Sequence, residues 1–189
     1  MSILVIGLIL FLGVHSLRLI APVVRGGIIA RLGEGPYKSI YSLASGIGFI
    51  LIVWGFARAS ADYGLVYVPS AWLRHVTMAL MLVALILAVA SVLPPGRIKR
   101  AVRHPLLIGA VIWAVAHLFV NGELAGLVLF GAFLVWAVVD LSAQTSRPVD
   151  ASAPPSPTSD IVAVVAGAAL YALLVWRLHA WLFGVSPIG

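Results

Sequence analysis

Cysteine is absent from the 189-residue chain, which excludes disulfide frameworks, zinc–thiolate and iron–sulfur ligation, and thiol nucleophiles. Charge is scarce as well. Only 10% of residues are Asp, Glu, Lys or Arg, against about a quarter in a soluble domain. So few charges cannot cover a water-facing surface of this size. The carboxylates number six and are scattered over loops and helix ends, which argues against a carboxylate-bound metal pair. No basic region precedes the first apolar stretch, whose first charge is Arg18. A secretory signal would carry one, so the stretch from Ser2 is expected to remain as a membrane helix.

What fills the chain is hydrocarbon: 62% of residues are hydrophobic, and lipid tails solvate such side chains without help from charge. Charges and prolines punctuate the sequence into about six apolar spans. They run from Ser2 to Ala21 before Pro22, between Lys38 and Arg58, and from His75 to Leu93 before Pro94-Pro95. Three more run from Pro105 to Val120, from Leu124 to Leu141, and from Asp160 (capped by Ser159 or Asp160) to Gly184. Each comes close to the roughly 17–25 residues that a bilayer requires. Backbone polar groups in lipid must be satisfied within the segment, so the expected fold is all-α, a polytopic bundle of transmembrane helices. The length predicts a single domain over 1–189. Asn121-Gly122-Glu123 is short enough for a tight helical hairpin, and the Pro/Ser/Ala-rich stretch 144–159 reads as a flexible loop outside the membrane.

The net charge of +6 follows from basic residues between spans, which read as topology signals and anionic-lipid contacts rather than a nucleic-acid surface. Arg18, Arg25, Arg31, Lys38, Arg97, Lys99, Arg100, Arg103 and Arg147 flank one set of loops; Arg58 and Arg74 flank the other. The positive-inside rule puts the first set in the cytoplasm and both termini outside. Trp72, Tyr63, Tyr67, Trp176 and Trp181 suit an outer aromatic belt, and Tyr37 and Tyr41 an inner one. Ser42, Ser45, Gly46 and Gly48, with Ala166, Gly167 and Ala168, are small enough to let helices approach closely.

Ionisable groups within the spans are the functional candidates. His15 lies roughly 9 Å from the cytoplasmic end of its span and His117 roughly 18 Å from the start of its own. In an apolar interior each imidazole is neutral, with a nitrogen able to bind a metal. Two such groups suit the axial positions of a haem iron; the competing reading is a pair of histidines hydrogen-bonded to neighbouring helices. Arg103 and His104 open the fourth span and could take an anionic group such as a haem propionate or a phosphate, though basic pairs at an interface also serve as headgroup contacts. His104 and His117 stand about 220° apart around a helix, so they should not ligate one metal together. Arg177 beside His179 reads as a snorkelling cation. Ser16 beside His15 is no catalytic pair, because adjacent helical residues face different ways.

The stretch Arg103-His-Pro-Leu-Leu-Ile-Gly-Ala-Val-Ile-Trp-Ala-Val-Ala-His-Leu-Phe-Val-Asn-Gly122, with Tyr41-Ser-Leu-Ala-Ser45 and His15-Ser16, resembles NnrU family membrane proteins over nearly the whole chain. That family is linked to nitrite and nitric oxide reduction in bacterial denitrification. A related branch is 15-cis-zeta-carotene isomerase, which binds haem b in the membrane through histidines and isomerises a double bond without net redox change. The resemblance implies a bacterial inner-membrane protein that binds haem b through His15 and His117, with Arg103 and His104 as further cofactor-binding residues. If the chain is an enzyme, it implies a haem-dependent isomerase-like activity, with a hydrophobic small molecule as a candidate partner beside the lipid bilayer. Arg103-His104-Pro105 to Gly109 is also similar to a segment of isoprenylcysteine carboxyl methyltransferases, but those have further polar residues where this chain has an apolar last span. A non-enzymatic assembly factor is the third reading.

Overall fold

The computed structural model describes residues 1–62, 64–145 and 155–188. They are helical almost throughout, with no strand among the described residues beyond an isolated bridge between Leu65 and Glu123. The helices are α1 (Ser2–Ile20), α2 (Pro22–Leu32), α3 (Glu34–Asp62), α4 (Leu73–Val92), α5 (Arg97–Val102), α6 (Pro105–Leu118), α7 (Leu124–Thr145), α8 (Pro157–Leu173) and α9 (His179–Phe183). A π-helical turn, Leu174–Leu178, joins the last two.

Every expected span is present as a helix. Five helices are long and apolar enough to cross a membrane, the last being the continuous run Pro157–Phe183. The fourth span, α6, has only 14 residues and is about 21 Å long at 1.5 Å per residue, short of a hydrocarbon core of about 30 Å. Ile9, Ile50, Val135 and Ile161 are each more than 60% exposed. Apolar exposure spread over so many helices has no place in water and is what lipid requires.

Local chemistry sets the helix ends. Pro22 disfavours helical backbone at Ala21, which adopts φ −134°, and Pro22 itself then starts α2. Gly33, at φ 86°, turns the chain into α3 in a conformation that a Cβ would strain. Two segments expected to be loops are helical: α2, none of whose residues is buried, and the short basic helix α5. The expected cap of the last span is also displaced. Ser156 caps α8, accepting from Ser159 N at 3.4 Å, because Pro157 is preorganised for the first helical position. Of the stretch read as a loop, residues 144–145 end up in α7 and 157–159 in α8, while 146–154 lie outside the described residues.

The chain divides into two compact units, Met1–Val66 with Glu123–Ala132, and Tyr67–Gly122 with Phe133–Gly189. In the first, α1 packs on α3 with backbones nearly touching. A Cβ on Gly7 would lie 2.7 Å from Ile52 N, one on Gly48 2.9 Å from Phe11 N, and one on Gly55 against Leu4 N. The buried positions of α3, Gly48, Ile52, Gly55 and Ala59, recur every three or four residues and form one helix face. Of the small residues expected at contacts, Gly48 therefore serves, whereas Gly46 faces open space.

In the second unit, α4 carries α6 on one side through Gly109, where a Cβ would lie 3.1 Å from Ala84 O. It carries α8 on another through Gly167, where a Cβ would meet Ile86 Cα at 2.7 Å. The buried Thr77 hydroxyl donates to Ala116 O at 2.8 Å. Asp160 of α8 accepts from Arg97 N at 2.8 Å and Ile98 N at 3.0 Å, satisfying two amides that α5 leaves unpaired at its start.

Candidate functional site

His15 and His117, expected deep in their spans, have the same local construction, although His117 stands in the last turn of α6. His15 Nδ1 donates to Phe11 O at 2.7 Å, and its ring lies 4.3 Å from that of Phe11. His117 Nδ1 donates to Trp113 O at 2.9 Å, and its ring lies 5.2 Å from that of Trp113. In each case the residue one turn earlier supplies both a carbonyl and an aromatic wall. A carbonyl only accepts, so Nδ1 must carry the proton and Nε2 must be the basic nitrogen. Metal-ligating histidines are typically oriented in this way, with the outer nitrogen committed to a carbonyl or carboxylate. The donor chemistry thus fits an imidazole-binding iron at each position.

Around His15, within the first unit, Tyr41 adds a ring at 5.3 Å. Ser16 donates to Leu12 O at 2.7 Å.

Around His117, within the second unit, the end of α6 is fastened from several directions. Asn121 Nδ2 donates to His117 O at 2.8 Å. The Tyr67 hydroxyl donates to Leu118 O and, at 3.2 Å, to Asn121 O, and Tyr67 N donates to Gly122 O at 3.3 Å. A Cβ on Gly122 would collide with Tyr67 O. Tyr67, read from sequence as a belt residue, is therefore a positioning residue for the His117 turn. Trp113 also meets Phe133 edge-on at 5.3 Å. Sequence reasoning missed Tyr67, Thr77 and the aromatic partners. The signal that was available is an aromatic residue four positions before each deep histidine, Phe11 and Trp113.

Arg103 and His104 stand together at the corner between α5 and α6. Arg103 has φ 58° and ψ −49°, and His104 N donates back to Val102 O at 2.6 Å. This is the strained form of the three-residue γ-turn, rare at a residue with a side chain. The Nε2 of His104 is buried with no protein partner, an atom for which a ligand oxygen would be a suitable mate. Arg103 itself is exposed. Of the other two histidines, His75 is exposed in the first turn of α4, and His179 Nδ1 donates to Val185 O at 2.7 Å. Among the described residues, no three His, Asp or Glu side chains gather as a metal cluster.

No curated protein and no solved structure matches the chain. The model of the family described as NnrU protein matches residues 3–187, so this chain belongs to the NnrU family.

Proposed function

We propose that this NnrU-family membrane protein binds haem b, with His15 and His117 as its candidate iron ligands. The observation that carries the reading is the shared geometry of the two imidazoles. Both are fixed in the tautomer with Nδ1–H given to a carbonyl, and both are steadied by an aromatic ring one turn away. A ring whose proton and orientation are settled beforehand binds a metal without a cost for reorganisation. A haem iron, when bound, supplies electron exchange and an electrophilic centre whose character its axial ligands set. The protein's part is to hold the ligating nitrogens, with Phe11 steadying His15 in the first unit and Trp113 steadying His117 in the second, and to keep the end of α6 in place through Tyr67 and Asn121.

Arg103 and His104 belong in this proposal as an anion site, for a haem propionate or a phosphate. A guanidinium pairs with either, and the unpartnered His104 Nε2 can donate to an oxygen. The function that follows is a haem-dependent role in the bacterial inner membrane, linked to nitrite and nitric oxide reduction or to isomerisation of a hydrophobic substrate. The methyltransferase-like reading gains nothing from Gly109. That residue serves the approach of α6 to α4. The assembly-factor reading predicts full function with every deep imidazole replaced.

The test is the absorption spectrum of the full chain purified in detergent from haem-replete cells. A Soret band is expected, with haem occupancy lowered by at least about tenfold in His15→Ala and in His117→Ala, the scale of loss when metal-site residues are removed. No Soret band, or the same band in both variants, would overturn the proposal.

A further inference from the structure

The first unit contains a cavity that the haem reading does not use. It opens where α2 lies over the end of α1 and the beginning of α3, and Val14, Leu17, Ile28, Tyr37, Tyr41 and Ala44 form its apolar wall. Its volume is about 100 Å³. Pockets for drug-sized ligands begin near 300 Å³, and an apolar cavity of about 150 Å³ holds a benzene ring. A macrocycle is therefore too large for it, whereas a stretch of hydrocarbon chain fits.

The mouth of this cavity is cationic. The Arg25 guanidinium lies 5.4 Å over the ring of Tyr37, a residue of the cavity wall. Arg25 also precedes the wall residue Ile28 by one helical turn on α2, and Arg18 follows the wall residue Val14 by four positions and so shares its face of α1. The nearest carboxylate, Glu34, is paired with Lys38 at 3.0 Å and lies within electrostatic reach of Arg25. No residue of α2 is buried, and Val23 and Val24 are 86% and 57% accessible. It carries Arg25 and Arg31 among these apolar residues, the composition of a helix lying at a membrane interface.

An apolar slot with arginines at its entrance, between an interfacial helix and two membrane helices, matches one kind of molecule. We propose that this cavity is a specific site for an anionic phospholipid, with an acyl segment in the slot and the phosphate headgroup at Arg25 and Arg18. Arginine suits the headgroup because its planar fork bonds two phosphate oxygens at once. The site lies wholly within the first unit and stands independently of haem. Its wall includes Tyr41, the ring next to His15, so a bound lipid chain would border the surroundings of that histidine.

Native mass spectrometry of the full chain, exchanged from detergent into phosphatidylglycerol or phosphatidylcholine of equal chain length, tests this. One retained phosphatidylglycerol is expected, preferred over phosphatidylcholine. Arg25→Gln should weaken its retention about fivefold, the effect of one cation at an anionic headgroup. Ala44→Phe, which fills the slot and leaves every charge in place, should weaken it about tenfold. Glycerol phosphate, a headgroup without chains, should not compete at millimolar concentration. Equal retention of the two lipids, wild-type retention in Ala44→Phe, or displacement by glycerol phosphate would each overturn the proposal. The Soret spectrum of the same preparations reads the haem reading separately, since neither variant removes a proposed iron ligand.

Discussion

At the level of single residues, the chain departs from ordinary membrane-helix chemistry at the two deep imidazoles and at one backbone turn. Arg103 holds a left-handed backbone that costs a residue with a Cβ about 1–3 kcal/mol, and it does so beside a buried imidazole nitrogen with no partner. Replacing Arg103 by glycine should relieve part of that strain. We expect Arg103→Gly to raise resistance to SDS by about 1 kcal/mol, read from helix circular dichroism, while Arg103→Ala shows no gain. A glycine variant no more stable than the alanine variant would mean that the turn carries no strain. His15 and His117 were legible as candidates because an imidazole in hydrocarbon needs a partner. Their partners were not legible, because a backbone carbonyl has no signature in sequence.

At the level of helices, close packing rests on a few glycines, and their roles differ although their neighbourhoods in sequence look alike. Gly46 and Gly55 both sit in α3. A Cβ on Gly55 would strike the backbone of Leu4 and Ile3, and one on Gly46 would meet nothing within 4 Å. Backbone cannot yield as a flexible side chain does, so Gly55→Ala should cost about 1–3 kcal/mol. Gly46→Ala should be neutral or should stabilise by up to about 1 kcal/mol through helix propensity. The SDS midpoint measures both, and equal effects would contradict the α1–α3 packing described here. The spans themselves were readable from their apolar runs, but α2 and α5 were not, since short polar or basic stretches between spans look like loops. The cap of α8 moved to Ser156 because Pro157 selects its own place at the helix start. Asp160, thereby released, fastens α5 instead.

At the level of the whole molecule, hydrocarbon is the solvent for most of the chain, and the distribution of Lys and Arg sets its expected orientation. Both termini should face away from the cytoplasm. Alkaline phosphatase fused after the last residue should be active, and green fluorescent protein at the same point dark. The reverse pattern would invert the topology. Tyr63 of the belt reading and Arg147 of the charge reading lie outside the described residues.

Composition and apolar runs alone predicted a membrane protein of about six spans, because a chain with so few charges has no other stable solvent; five of those spans are helices long and apolar enough to cross a membrane. The long motif from Arg103 to Gly122 was enough to suggest the family. Only the tertiary structure decided which glycine bears a helix contact, that Tyr67 and Thr77 fasten the end of α6, and that α2 covers a cavity. These are contacts between residues tens of positions apart, and hydropathy, which reports each side chain's preference for lipid, carries no information about which neighbour it meets there.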